Sequence, residues 1–167
     1  IISSLSASKY KIIHDVMIET SYGTTQIDHI VLSIYGIFVI ETKNYTGLII
    51  GSEDDDQWSQ VLHNKEYYFR NPLKQNYGHV KSLEGLLNVP YNRFIPIIAF
   101  SNKSRLRVRA FSNVVNFNKL NKTIRSYKEK VFTEKEIKSM AQKIINANIT
   151  DKKRRNDHVA QVQYKRA

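Results

Sequence analysis

Two carboxylates and a lysine have the most chemically suggestive spacing in this sequence. Glu41 and Lys43 follow the apolar run Ile37–Ile40. Because side chains alternate along a strand, both are predicted to lie on one face. Asp28 lies on the preceding predicted strand, before the tight Tyr35-Gly36 turn. If the hairpin loop has two residues, Asp28 falls within about two residues of Glu41. The pattern predicts that both carboxylates and the lysine meet at the end of a hydrophobic hairpin.

This grouping favours metal-assisted hydrolysis of a phosphodiester. Two carboxylates at close range favour a hard divalent cation with oxygen ligands, and Mg²⁺ or Mn²⁺ are the candidates. Such a cation polarises a phosphodiester and lowers the pKa of a bound water, and a nearby lysine positions that water. The structural alternative is an ion pair between a carboxylate and Lys43 at a strand end, since charges beside apolar runs are costly unless they are paired.

The strands that position these residues are predicted from alternation and turn signals. They span residues 9–19, 26–34, 37–43, 47–50, 65–70, 94–100 and 112–117. The first three are predicted to form an antiparallel meander. The most hydrophobic run, Phe94–Phe100, is predicted to be a central strand.

Two helices are also predicted. Asn71-Pro72 is typical of a helix start, with Asn71 as N-cap, and apolar residues recur at helical spacing up to residue 88. Gln75 and His79, four residues apart, share one face of that helix. Thr133 and Glu136 form a capping box at the start of a second helix. The order of elements predicts an α/β (α+β) fold with a mixed central sheet flanked by helices.

Composition and charge exclude several kinds of site and indicate a class of partner. The 167 residues are 41% hydrophobic and include no cysteine, which excludes disulfides, thiolate zinc sites and a cysteine nucleophile. The formal net charge is +11, and 18 of the 26 Lys and Arg residues follow residue 100. This asymmetry predicts a polyanion partner, with nucleic acid as the first candidate. No apolar run approaches the roughly 20 residues that span a bilayer, and no signal peptide is visible. A membrane partner is therefore not expected, and a cytoplasmic location is predicted.

The sequence resembles the nuclease-related (NERD) domain family over roughly residues 9–120. The matching blocks are Gln26-Ile27-Asp28-His29-Ile30, Ile37 to Tyr45 with Gly47, Gly51, Trp58 with Gln60, Asn71-Pro72-Leu73 with Gln75, Asn76 and His79, and Ile95–Ile98 with Phe100. The resemblance implies a PD-(D/E)xK core, which is restriction-endonuclease-like. Members usually begin with a glutamate-bearing helix, whereas residues 1–8 contain no acidic residue. We therefore expect a truncated N-terminal helix.

The resemblance also assigns roles to residues. It implies that Asp28, Glu41 and the carbonyl of Thr42 ligate the metal. Lys43 is the expected catalytic lysine, and Gln75 is expected to hold the nucleophilic water or a phosphate. The predicted function is a Mg²⁺- or Mn²⁺-dependent nuclease acting on DNA, with RNA left open. The alternatives are a catalytically inactive module that binds nucleic acid and a regulatory domain of a larger DNA-processing protein.

Four basic residues are the candidates for contacts to the DNA backbone. Arg105, Arg107 and Arg109 alternate, so they face one way if that stretch is a strand. Lys74 is the fourth candidate, and the alternative for the arginines is a basic edge strand that resists aggregation. Residues 1–149 are predicted to form the nuclease-like domain. Residues 150–167 are predicted to be a basic tail or linker, disordered in preference to a short helix.

Overall fold

Nine strands and four α-helices form the part of the chain that the computed structural model describes, Ile2 and residues 4–164. The strands are β1 (Lys11–Thr20), β2 (Gly23–Ser33), β3 (Gly36–Lys43), β4 (Gly47–Ser52), β5 (Gln57–Leu62), β6 (Lys65–Arg70), β7 (Phe94–Phe100), β8 (Ser104–Arg109) and β9 (Asn113–Asn116). The helices are α1 (Pro72–Leu87), α2 (Phe117–Ser126), α3 (Glu134–Ala147) and α4 (Lys152–Tyr164). The predicted α/β class is confirmed, and the arrangement is consistent with a restriction-endonuclease-like core.

The first sheet has the strand order β1-β2-β3-β7-β9. The antiparallel meander of β1, β2 and β3 is confirmed, and Ser33 faces Gly36 across a two-residue loop. β7 is an interior strand that runs parallel to both β3 and β9. β3 is therefore buried between strands of opposite direction, and its carboxyl end carries Glu41 and Lys43.

The second sheet has the order β6-β5-β4-β8 and continues the first. The parallel pair β3 and β7 leads directly into the parallel pair β4 and β8. Two backbone hydrogen bonds bridge the junction: the Ser101 N–H donates to the Lys43 carbonyl at 2.9 Å, and the Gly47 N–H donates to the Lys103 carbonyl at 3.2 Å. The two sheets thus share a continuous pair of chain segments.

Helices cover both faces of the first sheet. One face forms a buried cluster with α1 and α3, and the other packs against α2 through Leu120 and Ile124. Both predicted helix starts are confirmed. The Asn71 side chain accepts a hydrogen bond from the Leu73 N–H, and Thr133 and Glu136 form the capping box. α1 is thereby placed with one face toward β3.

Four segments differ from the predictions. β5 and α2 were not predicted, because β5 is short and rich in Gln and Ser and α2 has no N-cap side-chain hydrogen bond. Residues 4–9 form turns and not the end of a helix. Closely spaced serines there bond locally, as between the hydroxyls of Ser6 and Ser8 at 2.8 Å.

The last segment is the fourth difference. Residues 152–164 form α4, and not a disordered tail. Arg155 holds this helix to β1, donating to the Asp15 carboxylate at 2.7 Å and to the Asp15 carbonyl at 2.8 Å. Arg154 pairs with Glu19 at 2.6 Å. The domain division at residues 149 and 150 stays a prediction. Among the described residues, no helix combines the length and apolar character needed to cross a membrane.

Candidate active site

A buried glutamate and a lysine mark the carboxyl end of β3. Residues 36–41 are buried, and the strand alternation places Glu41 and Lys43 on the same face, as predicted. The Lys43 Nζ donates to the Glu41 Oε1 at 2.6 Å. Glu41 itself is only 4% exposed. A charge this deeply buried is tolerated because several donors surround it.

Helix α1 supplies two more of those donors. The Gln75 Nε2 donates to the Glu41 Oε1 at 2.8 Å, and the Gln75 Oε1 accepts from Lys43 at 3.0 Å. The His79 Nε2 lies 3.2 Å from the Glu41 Oε2. The other ring nitrogen of His79 is 2.8 Å from the Thr25 hydroxyl on β2. Both oxygens of Glu41 are thus engaged, and the network joins β2, β3 and α1.

A neighbouring side chain fixes α1 against the sheet at this point. Asn76 is fully buried, and its Nδ2 donates to the carbonyl of Val39 at 2.9 Å. Its partner Val39 lies two residues before Glu41 on the same strand. This contact fixes the position of α1 along β3, and Gln75 consequently lies within hydrogen-bond distance of Glu41.

The network holds Glu41 in its ionised form. Burial by itself raises the pKa of the carboxyl group. The hydrogen bond from His79 and the charge of Lys43 oppose burial, and together they bring the Glu41 pKa below its ordinary value. Glu41 is therefore a carboxylate at neutral pH, as a metal ligand must be.

Asp28 lies beside the same strand end, in contact with the residue between Glu41 and Lys43. Its Oδ2 accepts from the Thr42 N–H at 2.7 Å and from the Thr42 hydroxyl at 2.6 Å. Within the described chain, no hydrogen bond or ion pair joins Asp28 to Glu41 or Lys43, and two carboxylates, both acceptors, do not bond to each other. The shared metal site of Asp28 and Glu41 stays a prediction.

A slip in the strand alternation explains this placement. Ile27 and Ile30 belong to the same buried cluster, although a regular strand would point them to opposite faces. On the facing strand, Asp15 has a left-handed backbone with φ of 53°. A local irregularity of this kind re-aims a side chain. It turns Asp28 toward Thr42.

The oxygen atoms around Thr42 suit a magnesium-type cation. The N–H and C=O of one strand residue point to the same side, so the Thr42 carbonyl lies on the side of Asp28. Asp28, Glu41 and that carbonyl give two carboxylates and a neutral oxygen, and Mg²⁺ sites commonly use one or two protein carboxylates with waters and substrate phosphate. Across residues 4–164, no cluster of three or more His, Asp or Glu side chains is arranged to hold a metal. With two carboxylates and one carbonyl, the donor set offers fewer protein ligands than a dedicated metal cage and suits a cation that also takes waters and substrate oxygens.

The predicted basic contacts divide into two groups. Lys74 donates to the Asp54 carbonyl at 3.2 Å and to the Asp56 carboxylate at 2.5 Å, so its charge is partly compensated. Arg105, Arg107 and Arg109 do form one exposed row on β8, as the alternation predicts. They lie on the second sheet and take no part in the Glu41 network.

Sequence reasoning did not assign His79 or Thr25 to the site. The signal for His79 was its four-residue spacing from Gln75, which placed both on one helix face. The resemblance placed Gln75, and so this face, at the site, but no role was assigned to His79. Thr25 carried no signal, because its contact depends on the packing of β2 against α1.

The fold and the site together define a class: an α/β protein with a restriction-endonuclease-like core whose third strand ends in Glu-Thr-Lys. The model of the nuclease-related domain (NERD) family matches residues 1–101, and the chain belongs to this family. The uncharacterized protein pXO1-01 of Bacillus anthracis is 41% identical over 163 residues, covering 95% of this chain and 76% of the relative. No solved structure matches the chain.

Proposed function

We propose that this protein is a metal-dependent nuclease that hydrolyses phosphodiester bonds of DNA. The observation that carries the proposal is the buried network of Glu41, Lys43 and Gln75 beside Asp28 and Thr42. An ion pair that served only the fold would not need a second carboxylate one residue away. Membership of the nuclease-related family supports the same reaction class.

Three groups would hold the cation: the carboxylates of Asp28 and Glu41 and the carbonyl of Thr42. Mg²⁺ or Mn²⁺ bound there supplies Lewis acidity toward a phosphodiester oxygen and acidifies a coordinated water. The lowered pKa of Glu41 keeps its carboxylate free of a competing proton at neutral pH. The Asp28 Oδ2 is fixed by Thr42, so this carboxylate is preorganised on the same side as the carbonyl.

Lys43 and Gln75 are the groups that would act on the attacking water and the phosphate. The Lys43 ammonium donates two hydrogen bonds, to Glu41 and Gln75, and retains a third donor. That donor can orient a water or stabilise negative charge that develops on phosphate. The Gln75 amide ties this lysine to Glu41 and fixes the direction of the ammonium group. His79 contacts the other oxygen of Glu41, and the Thr25 hydroxyl contacts the second ring nitrogen of His79.

A second candidate is a nucleic-acid-binding module without catalysis. It is favoured by the full engagement of both Glu41 oxygens within the chain. A regulatory domain within a larger DNA-processing protein is a third possibility. For each of these, the absence of cysteine fits a reducing compartment, and we propose a cytoplasmic location.

Cleavage by matched variants tests the proposal. Labelled single- and double-stranded DNA is incubated with Mg²⁺ or Mn²⁺ and wild-type protein, and Glu41→Gln is expected to abolish the cleavage. Lys43→Met should slow it about 10²- to 10³-fold, the usual cost of one donor to a developing charge. Glu84→Gln on the outer part of α1 removes the same charge outside the network and should leave the rate unchanged.

Metal titration separates the two candidates further. Calorimetry with Mn²⁺ should give binding to the wild type that disappears in Glu41→Gln, while circular dichroism confirms that the variant is folded. Cleavage that persists at wild-type rate in Glu41→Gln would refute the proposed site. Nucleic-acid binding without any cleavage in either metal would favour the non-catalytic module.

A further inference from the structure

Three arginines line the outer edge of the second sheet, and an aromatic residue follows just beyond the end of their strand. Arg105, Arg107 and Arg109 alternate along β8 and Phe111 lies in the bend after it; all four are exposed, whereas the residues between them, Leu106, Val108 and Ala110, pack against the buried cluster of that sheet. Because alternate strand residues repeat about every 6.7 Å, the backbone positions of the three arginines are evenly spaced. We call these four residues the arginine–phenylalanine ridge.

Phe111 is fully exposed, at 104% of its reference area, yet its backbone is held in place. The Glu53 carboxylate accepts hydrogen bonds from the Phe111 N–H at 2.5 Å and from the Ser112 hydroxyl at 2.7 Å. Glu53 is fixed in turn, since its own N–H donates to the Arg109 carbonyl at 2.9 Å. An aromatic ring is therefore presented to solvent on an anchored loop.

The arginines of the ridge carry uncompensated charge. Within the described part of the chain, none of the three takes part in a salt bridge. The segment from residue 101 to residue 128 contains eight Lys and Arg and no Asp or Glu. Unpaired guanidinium groups on an exposed strand are suited to phosphate, which they bind with strength and geometric specificity.

The sheet beside the ridge offers a partly apolar floor. The register places Leu48 next to Arg105 and Ile50 next to Arg107, and both apolar residues are partly buried. The row that starts at Arg107 and Ile50 passes the buried Ser59 and ends at Tyr68, which is 66% exposed. Cations thus line one edge of a surface that can also contact the flat faces of bases.

We propose that the arginine–phenylalanine ridge binds single-stranded nucleic acid, with phosphates on the three arginines and one base stacked on Phe111. Stacking needs a base whose face is free, which a single strand provides and an intact duplex does not. The proposal takes its partner class from the proposed nuclease function but does not need catalysis. The ridge lies beyond residues 1–101, the part of the chain that the family model matches.

Fluorescence anisotropy with a labelled mixed-sequence oligonucleotide tests the ridge. The measurement is made in EDTA, which prevents metal-dependent cleavage. Phe111→Ala should weaken binding about 5- to 150-fold, the range for one stacked base, with an unchanged salt slope. Replacing the three arginines by alanine should flatten the slope of log affinity against log salt by about 2, since each neutralised phosphate contributes roughly 0.7. Tyr22→Ala is the matched control, because Tyr22 is 97% exposed on the β1–β2 turn of the other sheet.

An abasic oligonucleotide of the same length isolates the stacking contribution. On this probe the effect of Phe111→Ala should vanish while the arginine effect persists. The proposal is overturned if Phe111→Ala binds the normal strand within twofold of wild type, or if a duplex binds as tightly as the single strand. It is also overturned if sedimentation shows a dimer that Phe111→Ala dissociates, since the ring would then be a contact between two copies.

The same reagents distinguish failure of the ridge from failure of the proposed function. Cleavage is scored in Glu41→Gln and binding in Phe111→Ala, because the ridge is separate from the Glu41 network. Loss of cleavage in Glu41→Gln together with no effect of Phe111→Ala on binding would refute the ridge alone. Binding that depends on Phe111 in a protein that never cleaves would refute the nuclease proposal alone.

Discussion

Charge is handled in opposite ways at the end of β3 and along β8. Glu41 is buried and Lys43 is mostly buried, and donors from α1 and from Lys43 itself satisfy the glutamate. Arg105, Arg107 and Arg109 are exposed and unpaired within the described chain. The partners of a buried charge must come from the folded chain itself, whereas an exposed charge can be paired by a bound ligand. Substitutions at the end of β3 are therefore expected to lower the stability of the fold, whereas substitutions along β8 are expected to leave it nearly unchanged.

Removal of the buried carboxylate is expected to have the largest effect on stability. Glu41→Ala leaves Lys43 without its charge partner, and breaking a buried ion pair in this way costs about 3 to 5 kcal/mol. Arg107→Ala, at an exposed position, should change the free energy of unfolding by less than about 0.5 kcal/mol. Urea denaturation of both variants measures the difference. If the two losses were equal, the contrast between the regions would be wrong.

An intermediate effect is expected at Asn71, which connects the two regions. Asn71 caps α1, and its Nδ2 donates to the carbonyls of Glu53 at 3.0 Å and Asp55 at 2.7 Å. Asn71→Ala should cost about 2 kcal/mol, from a lost helix cap and carbonyls left without a donor. Asn71→Asp keeps the cap acceptor but turns a buried carboxylate oxygen toward these carbonyls, so urea unfolding should show it to be no more stable than the alanine variant. An aspartate variant as stable as wild type would mean that the bonds to the carbonyls contribute nothing.

The smallest effect is expected from the pH response of Glu53. Burial raises the pKa of this carboxyl, but the hydrogen bonds from the Ser112 hydroxyl, the Phe111 N–H and the Ser112 N–H outweigh burial, and the net pKa is below its ordinary value of 4.5. A depressed pKa in the folded state means that the carboxylate stabilises the fold above about pH 4.5 and that this contribution is lost as the pH falls through the folded pKa.

Glu53→Gln provides the measurement. The difference in unfolding free energy between wild type and this variant should be below about 1 kcal/mol at pH 7, since the group is near the surface and screened. It should shrink as the pH is lowered below 4.5. A difference that stayed constant from pH 7 to acid would show that the ionised carboxylate does not hold the Phe111 loop.

The parts of the fold that the sequence predicted are those governed by local rules. Alternation located β2 and β3, and the Asn71 and Thr133 caps located the starts of α1 and α3. Alternation also placed Glu41 with Lys43 and aligned the three arginines. Each of these predictions needs only the residues of one element, or of one hairpin with a short loop.

The parts that escaped prediction depend on tertiary contacts. The slip near Asp28 is not visible in the sequence, because Ile27 and Ile30 suit either face of a strand. The sequence of α4 has the pattern of a charged tail. In the structure, Arg155 pairs with Asp15 on β1, 140 positions earlier in the chain, and this contact holds the helix in place. His79 entered the site because Asn76 sets α1 against β3. None of these tertiary contacts leaves a pattern in the sequence of a single element.

Because the chain passes directly from β3 in one sheet to β4 in the other, the length of this segment limits the distance between the end of β3 and the start of β8. Seven residue steps separate Glu41 from Leu48, which lies beside Arg105. Even a fully extended chain covers no more than about 25 Å in that number of steps. A nucleic acid strand that rises about 3.4 Å per nucleotide, as one strand of a B-form duplex does, covers this distance with roughly seven nucleotides, and a more extended single strand needs fewer. The length of the β3–β4 connection therefore sets an upper limit to the number of nucleotides needed to reach both places, and loop insertions or deletions between Lys43 and Gly47 would change that limit.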